Sequence, residues 1–391
     1  MTERDGSSSE RARRFTAEDV APNAAGWELR REQPRESLRR AAEEGFAGLL
    51  VPTSLGGSGA SHVEAAQVFE ELSRGCMAFA FSLVVQNNLA AGVAASPNRA
   101  LAERWLPSLM SAGAIGAFCL TESDVAGSDA AAIRTRAMGV EGGWELSGAK
   151  GWVTNSATAD AFSIYAQTDP QLGWRGIGGW LVVRDAPGVA VEEPYALMGA
   201  HAMGTGGIAL DRCRVGDDDL LAPPGEGFKA AMAGIDRGRA WLAAMCCGIL
   251  WEALSVAVAY ASERLSFGRP TLELQAVRFP LVDALTDLQA ARLLSGRAAE
   301  ALDEGAADAR LHAAHAKKFA SVVAVRGILA CMQAMGAAGY RAEYPLSRHL
   351  AAAKMAEYLD GTTEIQRLVI GRTLADSVGE PVHPPPARVT R

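Results

Sequence analysis

Residues 241–261 read WLAAMCCGILWEALSVAVAYA, and the fold of the chain turns on what that stretch is. It is long and apolar enough to cross a bilayer as one helix. Three features argue otherwise. Glu252 stands near its middle, small residues dominate it, and the helical pattern runs on through Ser262-Glu263-Arg264. A helix buried on all sides within a bundle accounts for these features better than a membrane span, and no membrane contact is expected.

Working outward, the pattern is helical from Gly227 to about Ala375, in four long segments near 227–262, 274–304, 309–337 and 346–374. Their connections are short and carry Gly, Pro or Asp, as an antiparallel bundle requires. Upstream, Pro223-Pro224-Gly225 breaks the chain, and between Ala114 and Leu220 the period changes. AIGAFCL, WELSGAKGWVTN, FSIYAQT and GGWLVVRD are short runs, several of them alternating, which predicts antiparallel strands. Further upstream, Val63, Ala66, Val68 and Leu72 recur at helical spacing. The predicted class is α+β, mainly α. A disordered segment (1–30) precedes an N-terminal helical domain (31–113), a central antiparallel β domain (114–222), a C-terminal four-helix bundle (223–376) and a Pro-rich tail (377–391).

Composition narrows the function. A hydrophobic fraction of 49% and a charged fraction of 21% are those of a soluble globular protein. With 38 basic against 45 acidic residues and a net charge of −7, no surface for nucleic acid is expected. None of the six cysteines has CxxC spacing, which predicts reduced thiols and a cytoplasmic protein. The opening MTERDGSSSERARRF has no apolar core, so no signal peptide is expected. Gly225-Glu226-Gly227-Phe228-Lys229-Ala230 matches a dinucleotide pattern but lacks the surrounding βαβ unit. His312 and His315 share a helix face without a third ligand, so no metal site is expected.

A set of motifs remains. Gly48-Leu49-Leu50-Val51-Pro52, Gly56-Gly57 and Glu70-Glu71-Leu72-Ser73-Arg74 come first, then Leu120-Thr121-Glu122-Ser123 through Asp129, and Trp152-Val153-Thr154-Asn155. Ile235-Asp236-Arg237-Gly238-Arg239, Arg264-Leu265-Ser266-Phe267-Gly268 with Gln275, Gln333 through Tyr340, and Tyr358-Leu359-Asp360-Gly361-Thr362 through Arg367 close the set. In this order, over about 48–371, the chain resembles the acyl-CoA dehydrogenase family.

The resemblance implies a three-part fold, a noncovalent FAD, an acyl-CoA or acyl-carrier-protein thioester substrate, and an electron-transferring flavoprotein as acceptor. It also implies a homotetramer or homodimer. Asp360 falls at the position of the family's catalytic base. The implied flavin contacts are Phe118, Leu120, Thr121, Ser128, Trp152, Thr154, Ser266, Thr362 and Glu364, with Arg264, Gln275, Gln333, Gly336 and Ala337 reaching a neighbouring subunit's FAD. Ser128, Asp236, Arg239, Leu359 and Gly361 are implied at the substrate, Arg239 near its pantetheine or nucleotide part. In the family the thioester oxygen is held by a flavin ribityl hydroxyl and by the base's own backbone N–H.

Residue types agree with these roles. Thr121, Trp152 and Thr154 offer the hydrogen bonds and aromatic wall that a flavin needs. A carboxylate aimed at the α carbon in a dry cavity is what α-proton removal requires.

Three departures stand out. Aspartate replaces the usual glutamate, which retracts the carboxylate by about 1 Å, a shift that can cost about 100-fold in rate. Relatives that carry the base on the bundle's first helix do so where Gly238 stands, so Asp360 is the only carboxylate in a known base position. Ala351 and Ala352 replace a common Arg-Asp pair, and the Thr121–Asp129 segment is one residue longer than usual. Leu359 suggests a short or branched acyl pocket. The readings that follow are a dehydrogenase rebuilt around Asp360, a nitroalkane-oxidase-like flavoenzyme with an aspartate base, or a non-catalytic flavin or acyl-thioester binding protein.

Overall fold

The structure, a computed structural model, describes residues 6–123 and 127–376. The chain opens with helix α1 (Ser8–Phe15), a wider π turn over Thr16–Val20, and α2 (Ala21–Arg30). Ser7 and Glu10 form a reciprocal capping box at the start of α1. This corrects the expectation of disorder over residues 1–30, of which 1–5 lie outside the described residues. Ala12, Phe15, Val20, Ala24 and Trp27 are buried. The five-residue step from Phe15 to Val20 breaks helical periodicity in the sequence. The π turn takes up the extra residue and keeps the apolar stripe on one face.

Helices α3 (Arg35–Glu43), α4 (His62–Ala95) and α5 (Arg99–Met110) follow. Ser61 and Glu64 cap α4 in the same reciprocal way, and the helix breaks at Cys76 (φ −160°, ψ 109°) into two arms. The strands are β1 (Gly116–Cys119), β2 (Arg136–Val140), β3 (Gly143–Val153), β4 (Ala161–Gln167), β5 (Ile177–Val183), β6 (Val189–Val191), β7 (Gly206–Gly216) and β8 (Leu220–Ala222). They form one sheet in the order β6-β7-β3-β2-β4-β5-β8, with β1 also on β4. The sheet is mixed rather than wholly antiparallel, because β1 and β2 both run parallel to β4. Alternation in sequence reports that a strand has two faces but not the direction of its partner.

The bundle consists of α6 (Gly227–Glu263), a hairpin of β9 (Leu265–Ser266) and β10 (Arg269–Pro270), α7 (Gln275–Asp303), α8 (Ala309–Met335), α9 (Leu346–Ala356) and α10 (Thr363–Asp376). The expected fourth segment is thus two helices, parted at residues 357–362. The decisive stretch of α6 is enclosed by protein: Trp241, Leu242, Met245, Ile249, Leu250 and Leu254 are all buried. Each large side chain so placed contributes about 1.5–3 kcal/mol. By length and composition α4, α6 and a third helix running from Ala309 could each cross a membrane, yet in this fold most of the apolar stretch of α6 packs inside the bundle. Cys119, Cys213, Cys246, Cys247 and Cys331 are buried free thiols, and Cys76 is half-buried. The expected tail, 377–391, lies outside the described residues.

Candidate active site

The break between α9 and α10 is an elbow. Asp360 (φ 50°) and Gly361 (φ 89°) both take the left-handed conformation, and the chain turns there. Left-handed backbone is costly for a residue with a Cβ, so the elbow must be held from outside. It is held at its carbonyls. Lys317 of α8, fully buried, donates to the carbonyl oxygens of Glu357 (3.0 Å) and Gly361 (2.8 Å). Arg239 Nε of α6 donates to the carbonyl of Asp360 at 2.9 Å. Gln366 Nε2 donates to Gly361 (2.9 Å) and Asp360 (3.3 Å). Burial pushes the Lys317 ammonium down to about 8.

The carboxylate at the elbow is left free. Oδ2 of Asp360 is out of solvent and has no hydrogen-bond partner. Burial raises its pKa to about 6, although Arg239 and Lys317 oppose the rise. The backbone N–H of Asp360 also donates to no group among the described residues. Gly238 lies directly beneath: a Cβ there would sit 2.4 Å from Asp360 Oδ2. The residue that leaves α6 without a carboxylate at this point is the one that makes room for the carboxylate on the elbow.

One turn before Gly238, α6 leans on the sheet. Ala231 and the half-buried Ile235 pack with Leu120, Ile133, Tyr165 and Ile177. Leu120 opens the Leu120–Ser123 segment, which an internal ion pair fixes. Lys150 Nζ donates to the Leu120 carbonyl (2.9 Å) and to Glu122 Oε1 (3.0 Å). Glu122 accepts further from the backbone of Arg134 (2.7 Å) and from Thr135 N–H (2.8 Å) and O–H (2.6 Å). Burial pushes this carboxyl up, but Lys150 and these donors outweigh it and hold it below the usual range.

Thr121 accepts from Gly151 N–H at its carbonyl (3.0 Å), which ties the segment to the neighbouring Trp152 strand. Trp152 is 59% exposed in left-handed backbone (φ 57°), its ring edge-on to Tyr195 at 5.0 Å. The hydroxyls of Thr121 and of the buried Thr154 make no protein hydrogen bond among the described residues, and neither is sealed from solvent. An open indole face flanked by unsatisfied hydroxyls suits an isoalloxazine ring, so the donor set fits FAD. Thr121, Trp152 and Thr154 are the residues that would hold it.

Other expected residues fall in three places. Phe118 on β1 is half-buried against Tyr165 (5.2 Å between rings). Asp236 accepts from Arg239 Nη1 at 2.7 Å. Arg239 itself is only 4% exposed and points into the elbow. Its hydrogen bonds to Asp236 and to the elbow carbonyl account for that direction. Leu359 packs against the helical core, Thr362 Oγ1 caps α10 by accepting from Ile365 N–H (3.3 Å), and the exposed Glu364 pairs with Arg367. Ser128 is exposed. Arg264, Gln275, Gln333, Gly336 and Ala337 are exposed and Ser266 half-exposed, and no hydrogen bond or ion pair joins any of these six to Thr121, Trp152 or Asp360 among the described residues. The extra residue of the Thr121–Asp129 segment cannot be located further, since 124–126 lie outside the described residues.

Sequence reasoning missed Lys317 and Gln366, which frame the elbow, and the Glu122–Lys150 pair, which fixes the Leu120–Ser123 segment. The one available signal was Lys317 itself, a cation at a core-facing position of the Ala-rich α8.

Helical domains flanking a sheet, with a buried unpaired carboxylate near a flavin-suited ledge, define a flavoprotein oxidoreductase. Three family models match: acyl-CoA dehydrogenase N-terminal domain over residues 2–113, middle domain over 117–213 and C-terminal domain over 225–375. The chain is 36% identical to the mitochondrial short-chain specific acyl-CoA dehydrogenase of Bos taurus over 366 residues, 93% of this chain and 88% of that one. It is 33% identical to the probable acyl-CoA dehydrogenase fadE25 of Mycobacterium leprae over 93% of each chain. Among solved structures it is similar to a glutaryl-coenzyme A dehydrogenase in complex with glutaryl-CoA (TM-score 0.91, 30% identity, 94% of each chain covered). It is similar also to PigA with FAD and proline (0.90, 27%, covering 94% of this chain and 96% of that one). The prolyl acyl carrier protein oxidase AnaB gives 0.86 and 25%, over 94% of this chain and 97% of that one. The chain belongs to the acyl-CoA dehydrogenase family. It is an FAD-dependent oxidoreductase.

Proposed function

We propose that the protein α,β-dehydrogenates a short-chain acyl-CoA, with Asp360 as the base. One observation carries this reading: a carboxylate with its Oδ2 unpaired, withdrawn from water over Gly238, on an elbow whose carbonyls are tied down. Desolvation raises its basicity without neutralising it at neutral pH, the balance that a general base requires. Bound FAD supplies the acceptor for the β hydrogen. Asp360 takes the α proton at Oδ2, and its free backbone N–H is available to the thioester oxygen as enolate charge develops. Lys317, Arg239 and Gln366 position the base through its backbone and leave the carboxylate itself unpaired.

Coenzyme A as carrier is supported by the relatives named above; the likeness to a carrier-protein oxidase supports the carrier-protein alternative. An electron-transferring flavoprotein is the proposed acceptor, and the cytoplasm the proposed location. Assembly into a dimer or tetramer is supported by Phe267 in the β9–β10 turn, Phe279, Val282, Leu285 and Leu293 on α7, and Leu329 on α8, all exposed. Arg264 at the end of α6 just before the hairpin, Gln275 at the start of α7 and Gln333 near the end of α8 are the residues proposed for a neighbour's FAD.

The test is anaerobic flavin absorbance during titration with short and branched acyl-CoAs, then primary nitroalkanes. Bleaching by an acyl-CoA is expected. Asp360→Ala should keep its FAD and bleach at least about 10³-fold more slowly. Bleaching by nitroalkanes alone would replace this reading with an oxidase, and undiminished bleaching in the variant would remove Asp360 as the base.

A further inference from the structure

Gly234 and Gly238 stand one turn apart on the same face of α6, about 6 Å along its axis. Gly238 opens the space that Asp360 fills. Gly234 opens a second space: a Cβ there would meet only Arg237 Nη2 at 3.7 Å and the Asn88 amide at 3.9–4.0 Å. Asn88, on the second arm of α4, is locked on both sides. Its Nδ2 donates to the Gly234 carbonyl (3.2 Å), and its Oδ1 accepts from Arg237 Nε (3.2 Å). Arg237 is half-buried and its charge is felt at His62, Tyr165 and the adjoining Asp236, but Asp236 is paired with Arg239 and no carboxylate lies within ion-pair distance of Arg237 among the described residues. Nη1 and Nη2 donate to nothing among the described residues, and neither is sealed from solvent.

A desolvated guanidinium is costly unless an anion or a strong acceptor meets it. Asn88 fixes the plane of this one through Nε, which leaves the two-pronged Nη edge that matches a carboxylate. We propose that Arg237, oriented by Asn88, receives the far end of the acyl group, and that the preferred substrate is a short acyl thioester ending in a carboxylate. This rests on the acyl-thioester reading of Asp360. The two glycines mark the two ends of the acyl group, one below the reacting carbons and the other below the terminal anion.

The test compares thioesters of equal chain length, glutaryl-CoA with pentanoyl-CoA and adipyl-CoA with hexanoyl-CoA, by the anaerobic rate of flavin bleaching and by kcat/KM. The wild type should favour the carboxylate member of at least one pair by about 10- to 100-fold. Arg237→Met should remove or invert that ratio, and Arg237→Lys, which keeps the charge without the fork, should retain part of it. The ratio is internal to each variant, so partial loss of folded enzyme cancels. A wild type that prefers the methyl-ended members, or a ratio that Arg237→Met leaves unchanged, overturns the proposal while the dehydrogenase reading stands. No bleaching by any of the four overturns both.

Discussion

Glu122 and Asp360 are both carboxylates drawn out of solvent beside α6, and their surroundings differ at every point that controls a proton. Glu122 receives four hydrogen bonds, one from the buried Lys150. Asp360 has cations nearby too, but Arg239 and Lys317 spend their hydrogen bonds on the elbow's carbonyls and on Asp236, and Oδ2 receives none. The pKa of the first is lowered and that of the second raised to about 6. Proximity to a cation is therefore no guide to role. What separates the two carboxylates is whether the donors reach the oxygens or only the backbone that carries them.

The contrast breaks most plainly at Lys150. Lys150→Met leaves Glu122 buried without its cation and should cost about 3–5 kcal/mol, read as a lower denaturant midpoint, with part regained in Lys150→Met/Glu122→Gln. An unchanged midpoint would mean that the pair is not structural.

Asp360→Asn should act with the opposite sign. Because folding raises this pKa from 3.8 to about 6, the ionised form opposes folding. The stability contributed by the protonated acid is full below pH 3.8 and lost as pH rises through about 6. The variant should therefore gain on the wild type as pH rises, by about 3 kcal/mol at pH 8 and by about half that at pH 5. Melting curves of the two proteins at both pH values measure it, and a gain that does not grow with pH would mean that Asp360 is not desolvated.

The smallest effect is kinetic. The rate of flavin reduction should fall about tenfold for each pH unit below about 6. A rate flat down to pH 5 would place the controlling carboxylate elsewhere.

Asp360 was legible as the candidate base only through the family resemblance, because the motif that carries it, Tyr358 through Arg367, is local and keeps its order in the chain. The helix–strand–helix order along the chain was legible because hydrophobic period changes at Ala114 and again at Gly227. The frame was not. Lys317 meets Glu357 and Gly361 only after α8 packs against the elbow, and Asn88 meets Arg237 only after the second arm of α4 packs against α6. The N-terminal helices were misread for a different reason. Their apolar stripe is in register in space but not along the chain, since the π turn at Thr16–Val20 adds a residue that a fixed helical period cannot absorb.

The apolar face of α6 also has a history in time. Of the long helices it packs against in the bundle, only α4 is made before it; α7 and α8 are made afterwards. At roughly 5–20 residues per second, the wait until Met335 emerges is on the order of 4–14 s. For that interval a stretch as greasy as a membrane anchor stands half-covered. Glu252 in its centre, paired with Arg74 of α4 (3.1 Å), gives the nascent chain a charged clasp to that helix and a penalty against the bilayer, before the bundle exists to hide it.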